Sequence, residues 1–438
     1  MKVSNWGKYP VAEAQLLSYR PGKPLSEYTS WIGRGMGRCY GDSALAPMIV
    51  SGLQMNRFLA FDAEKGLLTC EAGTTYEEII AHFLPRGWFP PVTPGTKYVS
   101  MGGALASDVH GKNHHVEGSF SRHVQWFDLL TATGTELRCS RAENAAVFYA
   151  TAGGMGLTGF ILRMCLQLKP VSSSFIHVES LKARNLEEIL GMFDEFVTAT
   201  YSVAWIDCLS GGSGLGRSIL LKGEHAAISD MPAGKAALAV SQKKRITVPF
   251  DLPSFTLNSL SIRAFNALYY GKQFSPRSSA LSDYDSYFYP LDVIHHWNRI
   301  YGRRGFTQYQ FVVPKAAGKA GIREVLERVQ KAGMGSFLSV LKLFGPEEEG
   351  WLSFPMEGYT LTLDFPISQK LFPFLDELDQ VVAGYGGRVY LTKDVRLGEE
   401  MFRQMYPRQE AFYDLICQLD PEGHIYSQQA DRLGLTKR

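Results

Sequence analysis

Two stretches with few bulky side chains have the residue types to hold a large anionic ligand. The first glycine stretch comprises Gly33, Arg34, Gly35, Met36, Gly37, Arg38, Cys39, Tyr40, Gly41, Asp42 and Ser43. Closely spaced glycines allow backbone N–H groups to approach an anion, and the two arginines add positive charge. The stretch contains neither a G-x-G-x-x-G fingerprint nor a Gly-Lys-Ser/Thr phosphate loop, which disfavours a nicotinamide or nucleoside triphosphate site. A tight surface turn is the alternative interpretation.

The second glycine stretch, residues 94–111, has small residues at most positions from 100 to 107. A backbone with so few side chains can lie flat against a diphosphate and a ring system. Small residues at the crossing of a helix and a strand are the alternative. That alternative is weaker because two such stretches occur in one segment. His110 directly follows the small residues, so we expect it to face the ligand that they bind.

The three histidines between His110 and His115 suggest a metal site. No cysteine is near them, and Asp108 and Glu117 are the only carboxylates close in sequence. A lysine and an asparagine lie between the histidines and suit hydrogen bonding better than metal ligation. We therefore expect no metal ion here.

The composition excludes several classes of protein. Of the 438 residues, 45% are hydrophobic and 20% are charged, which excludes a disordered chain. The 45 Lys and Arg nearly balance the 43 Asp and Glu, so a protein that coats nucleic acid is not expected. No run reaches the about 20 apolar residues of a membrane span, and the N-terminus lacks the apolar core of a secretory signal. Six cysteines without a CxxC pair indicate free thiols, and we expect a cytoplasmic protein, at most peripheral on the inner membrane.

Short strands, then alternating strands and helices, must position these stretches. Residues 1–170 are rich in glycine and in short β-branched runs, and Thr75 and Glu78 are spaced as a capping box that begins a helix. The next 215 or so residues alternate periodic and extended segments, which predicts an α+β protein with a second sheet that carries helices on one face. The predicted helices there are 186–199 and 321–333, and the predicted strands include 201–209, 217–222, 306–313, 336–344, 359–365 and 387–391. Residues 226–280 are predicted to be loop-rich and to form a mobile lid whose aromatic end contacts an apolar partner.

With these motifs the sequence resembles flavoproteins of the vanillyl-alcohol oxidase/para-cresol methylhydroxylase superfamily and, within it, the decaprenylphosphoryl-β-D-ribose 2-oxidase family. The resemblance extends from residue 31 to residue 433, and its matching segments are 33–43, 110–115, 148–159, 308–314, 342–346 and 393–394. It implies a PCMH-type FAD-binding domain made of residues 1–170 and 386–438. A substrate domain of residues 171–385, built on an antiparallel sheet, would lie between them in the sequence.

The resemblance also implies the position of FAD. The implied contacts are the whole first glycine stretch together with Gly95, Ser100, Met101, Gly102, Gly103, Ser107, Asp108, Val109, His110, Ile161 and Tyr390. Covalent members of the superfamily carry a flavin-linking histidine where this chain has Arg38, so FAD is predicted to bind noncovalently. Cys39 beside it offers a thioether site, although a small buried residue is the favoured role.

Oxidation of a secondary alcohol moves a hydride from carbon to the flavin while the hydroxyl loses its proton. Negative charge then gathers at the pyrimidine edge of the flavin, and a nearby cation stabilises the transition state. The resemblance makes Lys393 the first catalytic candidate, and a desolvated lysine also has a lowered pKa that helps it to remove the proton. An ordinary ion pair with Asp394 is the alternative for Lys393. His110, the second catalytic candidate, would orient the flavin and the sugar.

The implied substrate pocket offers cations and amides for phosphate and hydroxyl groups, and an aromatic wall for a sugar. Its residues are Lys112, Trp205, Tyr289, Gln308, Gln310, Lys342 and Thr362. Core packing is the alternative for Trp205 and Tyr289. Thr362 stands where mycobacterial members carry a cysteine, which excludes thiol chemistry at that position and leaves alcohol oxidation intact.

The implied activity is oxidation of the C2 hydroxyl of a polyprenyl-phosphate-linked ribose to a 2-keto sugar, the first half of an epimerisation. A separate NAD(P)H-dependent short-chain reductase would complete it, since this chain shows no nicotinamide site. A soluble alditol or aldonolactone oxidase that uses oxygen is one alternative, and a flavin-carrying scaffold on a membrane is another. The lipid-linked phosphosugar needs an apolar groove or access to a membrane surface, for which residues 226–280 are the candidate.

Overall fold

The computed structural model describes residues 1–22, 24–231, 234–241, 243–253 and 256–436. The strands of the first 170 residues are β1 (Lys2–Ser4), β2 (Val11–Glu13), β3 (Gln15–Ser18), β4 (Trp31–Arg34), β5 (Met48–Ser51), β6 (Phe58–Asp62), β7 (Leu67–Glu71), β8 (Trp88–Phe89), β9 (Val124–Leu130), β10 (Glu136–Ser140), β11 (Phe160–Gln167) and β12 (Lys169–Pro170). Strands β3, β5 and β4 form a parallel sheet in that order. Strands β10, β9, β11, β7 and β6 form an antiparallel sheet. Short strands separated by turns are what the sequence of this segment predicts.

An eight-stranded antiparallel sheet dominates the remainder of the chain. The strands after residue 170 are β13 (Phe175–Ala183), β14 (Tyr201–Ile206), β15 (Ser218–His225), β16 (Ile246–Thr247), β17 (Arg277–Asp283), β18 (Ile294–His295), β19 (Phe306–Pro314), β20 (Ser339–Phe344), β21 (Gly358–Pro366) and β22 (Arg388–Val389). The order in the large sheet is β17-β13-β15-β14-β20-β21-β19-β22. Each neighbouring pair in it is antiparallel, as predicted.

Helices cover one face of the large sheet. The helices are α1 (Tyr76–Phe83), α2 (Met101–Ala106), α3 (His114–Glu117), α4 (Ala145–Thr151), α5 (Leu186–Glu195), α6 (Ser259–Gly271), α7 (Tyr284–Phe288), α8 (Gly318–Ala332), α9 (Leu371–Gly384), α10 (Glu399–Met405), α11 (Gln409–Leu419) and α12 (Gln428–Arg432). The α5, α8 and α9 helices pack together on this face and share its hydrophobic core. The predicted capping box at α1 is present, with Thr75 accepting from Glu78 N–H. In the described residues, we find no helix that is long and apolar enough to cross a membrane.

Alternation along the central strands separates a helix-covered face from a polar face. In β19, Tyr309 and Phe311 belong to the core under the helices. Gln308 and Gln310 point to the opposite face, because successive side chains of a strand point to opposite sides. The predicted α+β class, with helices on one face of an antiparallel sheet, is therefore confirmed. The opposite face is named here the site face.

The C-terminal segment returns to the first glycine stretch. The Trp31 N–H donates to the His424 carbonyl, and the Tyr426 N–H donates to the Trp31 carbonyl, each at 2.9 Å. These bonds hold the chain near residue 425 beside β4. The first glycine stretch begins in β4 and continues from its end. The division of the chain into two domains stays a prediction.

Residues 226–280 hold more regular structure than the sequence predicts. Helix α6 occupies 13 residues of this segment, and β17 begins in its last part. The Asn258 side chain caps α6 by accepting from the N–H groups of Leu260 and Ser261. Apolar residues lie on both the inner and the outer side of α6, which hides the one-sided apolar pattern that identifies a surface helix.

Candidate functional site

Three of the predicted substrate residues lie in one row across the site face. The strand register pairs Trp205 with Val340, Val340 with Thr362, and Thr362 with Gln310. Directly opposed residues of antiparallel strands project to the same side, so these side chains are neighbours. Three strands thus contribute an indole, a hydroxyl and an amide to this row, and β20 contributes Val340 between them.

The rows on either side of this one hold the remaining polar residues of the site face. Gln308 is paired with Asp364 across β19 and β21, and Lys342 is paired with Thr360 across β20 and β21. Gln308 and Lys342 are both predicted substrate residues. The sheet register therefore brings five of the seven predicted substrate residues together on one surface.

Lys393 lies just after β22, next to this surface. Its Nζ is 3.8 Å from the centre of the Tyr40 ring. The Asp394 carboxylate binds Arg432 at 2.9 Å instead of Lys393, so the ion-pair alternative for Lys393 is wrong. Burial lowers the pKa of Lys393 to about 7, and the field of Asp364 opposes this shift. Much of Lys393 is thus neutral at neutral pH.

Asp364 is a buried carboxyl that sequence reasoning missed. It accepts a hydrogen bond from Gln308 at 2.6 Å and one from the Tyr301 hydroxyl at 3.1 Å. Burial raises the pKa of Asp364 to about 7. The signal for it was present in the sequence, because this aspartate is the only charged residue of a buried strand.

Lys112 and Lys342 extend the positive charge beyond Lys393. The Lys112 ammonium donates to the Tyr287 carbonyl and lies 4.2 Å from the centre of the Tyr287 ring. Burial lowers the pKa of Lys112 to about 7 and that of Lys342 to about 8. The positive charge of Lys342 also lowers the pKa of both Lys112 and Lys393, so the Lys342 ammonium group is near each of the other two.

Lys112, Lys342 and Lys393 are named here the lysine group. Among the described residues, no carboxylate lies within 4 Å of any of their ammonium groups. Desolvated cations that lack a counter-ion are costly in a folded protein unless a ligand supplies the negative charge. The lysine group therefore indicates a site for an anionic ligand.

His110 lies near the end of the second glycine stretch, close to Lys342 and Lys393 of the lysine group. Its Nε2 is 2.9 Å from the Gln310 amide nitrogen, and the Phe344 and Tyr390 rings surround the imidazole at 4.8 and 5.0 Å. Burial lowers the pKa of His110 well below its ordinary value, so the ring is neutral. Because Gln310 donates to Nε2, the ring proton resides on Nδ1. That buried Nδ1 has no partner within the described part of the chain, so it is a donor that a ligand can satisfy.

The two following histidines hold the loop in place. His114 Nδ1 accepts from the Gly345 N–H at 3.1 Å, and His115 Nε2 lies 2.8 Å from the Ala199 carbonyl. They bind different segments of the chain, so the three histidines do not converge on one point. The loop of residues 110–115 is thereby fixed against the ends of β14 and β20, and this positions Lys112.

Close backbone approach explains the glycines of the first stretch. A Cβ at Gly35 would overlap the Ser100 hydroxyl, and a Cβ at Gly41 would overlap the Asp394 carbonyl. The N–H groups of residues 35–39 have no acceptor within the described part of the protein. Such a run of free donors suits an anion and fits the diphosphate of a dinucleotide. These contacts argue against a simple surface turn.

Charged residues at the ends of the first stretch brace it instead of facing a ligand. The Arg34 guanidinium donates to the Ser4 carbonyl at 2.9 Å, and it fills the space beside Gly37. Asp42 is ion-paired with Arg432 at 2.8 Å. Gly33 lies in β4 against the Phe160 ring, and Ser43 is buried.

Arg38 occupies a different environment from Arg34. Its guanidinium lies 4.2 Å from the centre of the Trp6 ring and 5.2 Å from that of Tyr98. The neighbouring Cys39 thiol has its pKa raised by burial, which keeps it in the unreactive thiol form. Met36 is partly exposed at the tip of the stretch.

Helix α2 carries the centre of the second stretch. Ser100 caps α2 by accepting from the Gly103 N–H at 3.4 Å, and Met101 is buried in the core. The Tyr390 hydroxyl donates to the Ser107 carbonyl at 2.7 Å, and so the segment after β22 is tied to α2.

The remaining predicted cofactor residues have mixed environments. Asp108 accepts from the Ser121 N–H and the Ser353 hydroxyl, and burial raises the pKa of Asp108 to about 6. Val109 and Ile161 belong to the hydrophobic core. Gly102 packs on Ala72, whereas Gly95 has open space beside it.

Tyr289 is the predicted substrate residue that lies outside the rows. It is 1% exposed in the core, and its ring centre is 6.0 Å from the Lys97 ammonium. Its ring contact in the described residues is with Phe288, which lies 5.7 Å from the Lys112 ammonium. The core-packing alternative describes this environment.

A flavin dinucleotide and an anionic substrate need hydrogen-bond donors and positive charge. The glycine backbone, the imidazole N–H without a partner and the unpaired lysines supply them. The model of the family "FAD binding domain" matches residues 27–140, which include both glycine stretches. The protein is thus an FAD-dependent oxidoreductase that acts on CH–OH groups.

Comparisons over the whole chain identify the family. The chain is 36% identical over 411 residues to decaprenylphosphoryl-β-D-ribose oxidase of Mycolicibacterium smegmatis, a match that covers 92% of this chain and 89% of that protein. It is 36% identical over 363 residues to an uncharacterised protein of Streptomyces coelicolor, with 80% and 97% covered. L-Gulonolactone oxidase of Bos taurus is 34% identical over 143 residues, 32% of this chain and 31% of that protein. The chain belongs to the decaprenylphosphoryl-β-D-ribose oxidase family.

Proposed function

We propose that this protein oxidises the C2 hydroxyl of a polyprenyl-phosphate-linked ribose to a 2-keto sugar. The observation that supports this proposal most strongly is the lysine group, whose three ammonium groups lack carboxylate partners in the described residues and lie beside the amides of the site face. A phosphate group on the sugar supplies the missing negative charge. The relative from Mycolicibacterium smegmatis is named for a substrate of this kind.

We assign the two ends of the lysine group to different parts of the substrate. Lys112, beside the Tyr287 ring, and Lys342, beside the Phe344 ring, bind the phosphate. Trp205 and Thr362, in the row beside them, line the sugar position. The amides of Gln308 and Gln310 are held by Asp364 and His110, so they are pre-oriented to meet the sugar hydroxyls.

Lys393 is the group that we assign to the reacting hydroxyl. Bound FAD supplies the acceptor for the hydride that leaves C2. With its pKa lowered to about 7, neutral Lys393 accepts the hydroxyl proton as that hydride departs. The resulting ammonium group would stay in a poorly solvated site, where it would stabilise negative charge that develops on a bound ligand. Neutral His110 orients the ligands through its Nδ1–H.

We further propose that a separate NAD(P)H-dependent short-chain reductase reduces the ketone and completes an epimerisation. Neither glycine stretch has the fingerprint of a nicotinamide site, so a second polypeptide must supply that step. Noncovalent attachment of FAD also remains a prediction, based on Arg38 at the position of the flavin-linking histidine. We place the protein in the cytoplasm, peripheral to the inner membrane.

The aldonolactone oxidase alternative is less well supported. The similarity to L-gulonolactone oxidase covers 32% of the chain. A neutral sugar lactone would also leave Lys112 and Lys342 without a counter-ion, which is unfavourable for desolvated ammonium groups.

Anaerobic reduction of the flavin tests the proposed substrate. Mixing the FAD-loaded protein with polyprenyl-phosphoribose is expected to bleach the flavin absorbance, whereas free ribose and ribonolactone leave it unchanged. Lys342→Met is expected to raise the phosphoribose concentration for half-maximal reduction by at least about tenfold, because a charge-assisted contact is lost. Lys331→Met, at an exposed position of α8, is the matched control and is expected to behave like the unmodified protein. Bleaching by ribonolactone but not by phosphoribose would favour the alternative and overturn the proposal.

A further inference from the structure

Helix α6 carries an apolar stripe on the side that faces away from the protein. With 100° between successive residues of a helix, Leu260, Ala264, Ala267 and Leu268 fall within about 100° of one another. The Leu260 and Leu268 side chains are 76% and 75% exposed, and Phe274 just after the helix is 94% exposed. A stripe of this kind normally faces the core, whereas here it faces solvent.

The opposite side of α6 fixes the stripe in its outward orientation. Ile262 is buried in the core, and the buried Asn266 amide donates to the Asp207 carboxylate at 2.7 Å. The Tyr269 ring lies 4.6 Å from the Trp205 ring, so this end of the helix borders the row of substrate residues. The helix is thus anchored by specific contacts, and rolling the stripe inward would break them.

Exposed apolar side chains concentrate in residues 226–280. Of the fourteen large hydrophobic side chains that are exposed in the described part of the chain, seven lie in this segment: Ile228, Ile246, Phe250, Leu260, Phe265, Leu268 and Phe274. The same segment contains seven Lys and Arg and two Asp, whereas the other residues together have an acidic excess. Three of the seven, Lys243, Arg245 and Arg277, are paired with carboxylates outside the segment, and the other four have no carboxylate within 4 Å in the described residues. Apolar side chains combined with local positive charge suit a partner that has an apolar interior and an anionic surface.

We propose that α6 and Phe274 dock on the surface of a bilayer that contains anionic lipids. The helix is 13 residues long and lies in the plane of the interface, with Leu260, Leu268 and Phe274 among the acyl chains. Arg263 and Lys272, exposed on the two flanks of the stripe, contact lipid phosphates.

Docking on the bilayer does not depend on the proposed function. Only the role of this docking in substrate delivery rests on that function. Since Tyr269 contacts Trp205, docking through α6 places the edge of the substrate row at the membrane surface. A polyprenyl chain then stays in the bilayer while its phosphosugar enters the site.

Flotation of the FAD-loaded protein with vesicles tests the docking without any substrate. The protein is expected to float with vesicles of phosphatidylcholine mixed with phosphatidylglycerol, and more weakly with phosphatidylcholine alone. The triple variant Leu260→Ser, Leu268→Ser, Phe274→Ser is expected to lower the bound fraction at least about tenfold, because binding scales with the apolar area that is inserted. The matched control is Val11→Ser, Leu16→Ser, Leu59→Ser, three exposed apolar side chains outside the segment, which is expected to bind fully.

Flavin absorbance and circular dichroism establish that both triple variants are folded and loaded. The proposal is overturned if the unmodified protein binds neither kind of vesicle, or if the α6 variant binds as well as the control. The proposal is also overturned if the stripe binds the partner reductase and the protein does not bind vesicles. Normal flotation without reduction of the flavin by phosphoribose would contradict the proposed function alone.

Discussion

The chemistry of the site depends on how burial sets the charge of two side chains. Lys393 and Asp364 both have pKa values shifted to about 7, one downward and one upward, because burial disfavours the charged form of each. The negative field of Asp364 raises the pKa of Lys393, so the two titrations are coupled. In the proposed reaction, Asp364 therefore acts through Lys393, as a positioning and tuning residue.

This coupling predicts a shift of the pH profile in Asp364→Asn. If neutral Lys393 accepts the proton, the rate of anaerobic flavin reduction rises with pH and levels off above about 7. An asparagine side chain can still form hydrogen bonds with Gln308 and Tyr301, but it removes the negative charge of Asp364. The pKa of Lys393 then falls, and the acid limb of the profile moves to lower pH. Stopped-flow measurement of flavin reduction from pH 5 to pH 9 or so detects this displacement.

Two further variants show whether the acid limb belongs to Lys393. Lys393→Met is expected to remove the limb and to slow reduction at least about 100-fold. Asp376→Asn, an exposed aspartate paired with Arg396, is expected to leave the profile unchanged. An acid limb that moves to higher pH in Asp364→Asn, or that persists in Lys393→Met, would contradict the assignment.

At the scale of single residues, the type of a residue limits its role in some cases and not in others. Lys342 lies near both Lys112 and Lys393, and lysines that lack a carboxylate partner have few roles in a core other than to meet a ligand. Tyr289 is a large aromatic that suits a core and a pocket equally, and its type does not distinguish the two. Asp364 was missed because its effect depends on the neighbouring strand and on its distance from Lys393.

At the scale of elements, the glycine stretches matter through the backbone that they bring close together. The first stretch passes so near the chain at Asp394 that a Cβ at Gly41 would overlap the Asp394 carbonyl. Gly41 is therefore required by the neighbouring backbone, which leads directly to Lys393. The glycine spacing predicts that this backbone approaches an anionic ligand; it does not predict that Gly41 approaches the backbone at Asp394, about 350 residues away.

Gly41→Ala is expected to weaken FAD binding at least about tenfold and to displace Lys393, because neither backbone can relax without moving the other. Flavin absorbance per protein after gel filtration, and titration of the apoprotein with FAD, measure the loss. Gly191→Ala is the matched control: it lies in α5 with no atom near the added methyl group, and alanine favours a helix. Full flavin occupancy of Gly41→Ala would show that the stretch is looser than the structure indicates.

Several elements with a one-sided apolar pattern were predicted from sequence, although α9, whose buried Leu371, Leu375, Leu378 and Val382 lie along one side, was not. Strands β19 and β21 and helix α8 were placed within three residues of their ends, since each has a clear period. Helix α6 was assigned to loops because its outer side is apolar as well. The structure thus locates α6 beside Trp205, which no local pattern indicates.

At the scale of the whole molecule, the C-terminal segment connects the sheet with the first glycine stretch. Strand β22 joins the edge of the large sheet beside β19, and the chain then returns past Lys393 to β4. Arg432 fastens this return, since its guanidinium binds the Asp42 and Asp394 carboxylates at 2.8 and 2.9 Å. Pairings across such separations cannot be found from the periodicity of one sequence.

Arg432→Met is expected to destabilise the protein by about 3 kcal/mol near neutral pH, because it leaves two buried carboxylates without a cation. Burial already raises the pKa of Asp42, and loss of Arg432 raises it further, while Asp394 loses the largest of the charges that hold its pKa below the ordinary value. A carboxyl with a raised folded pKa stabilises the fold at low pH and loses that contribution as pH rises, so the deficit should grow from pH 5 to pH 8. Thermal unfolding followed by tryptophan and flavin fluorescence measures it. Arg403→Met breaks an exposed pair with Glu399 and is expected to cost less than about 0.5 kcal/mol at either pH. Equal melting temperatures for the two variants would show that the segment is held by its backbone bonds alone.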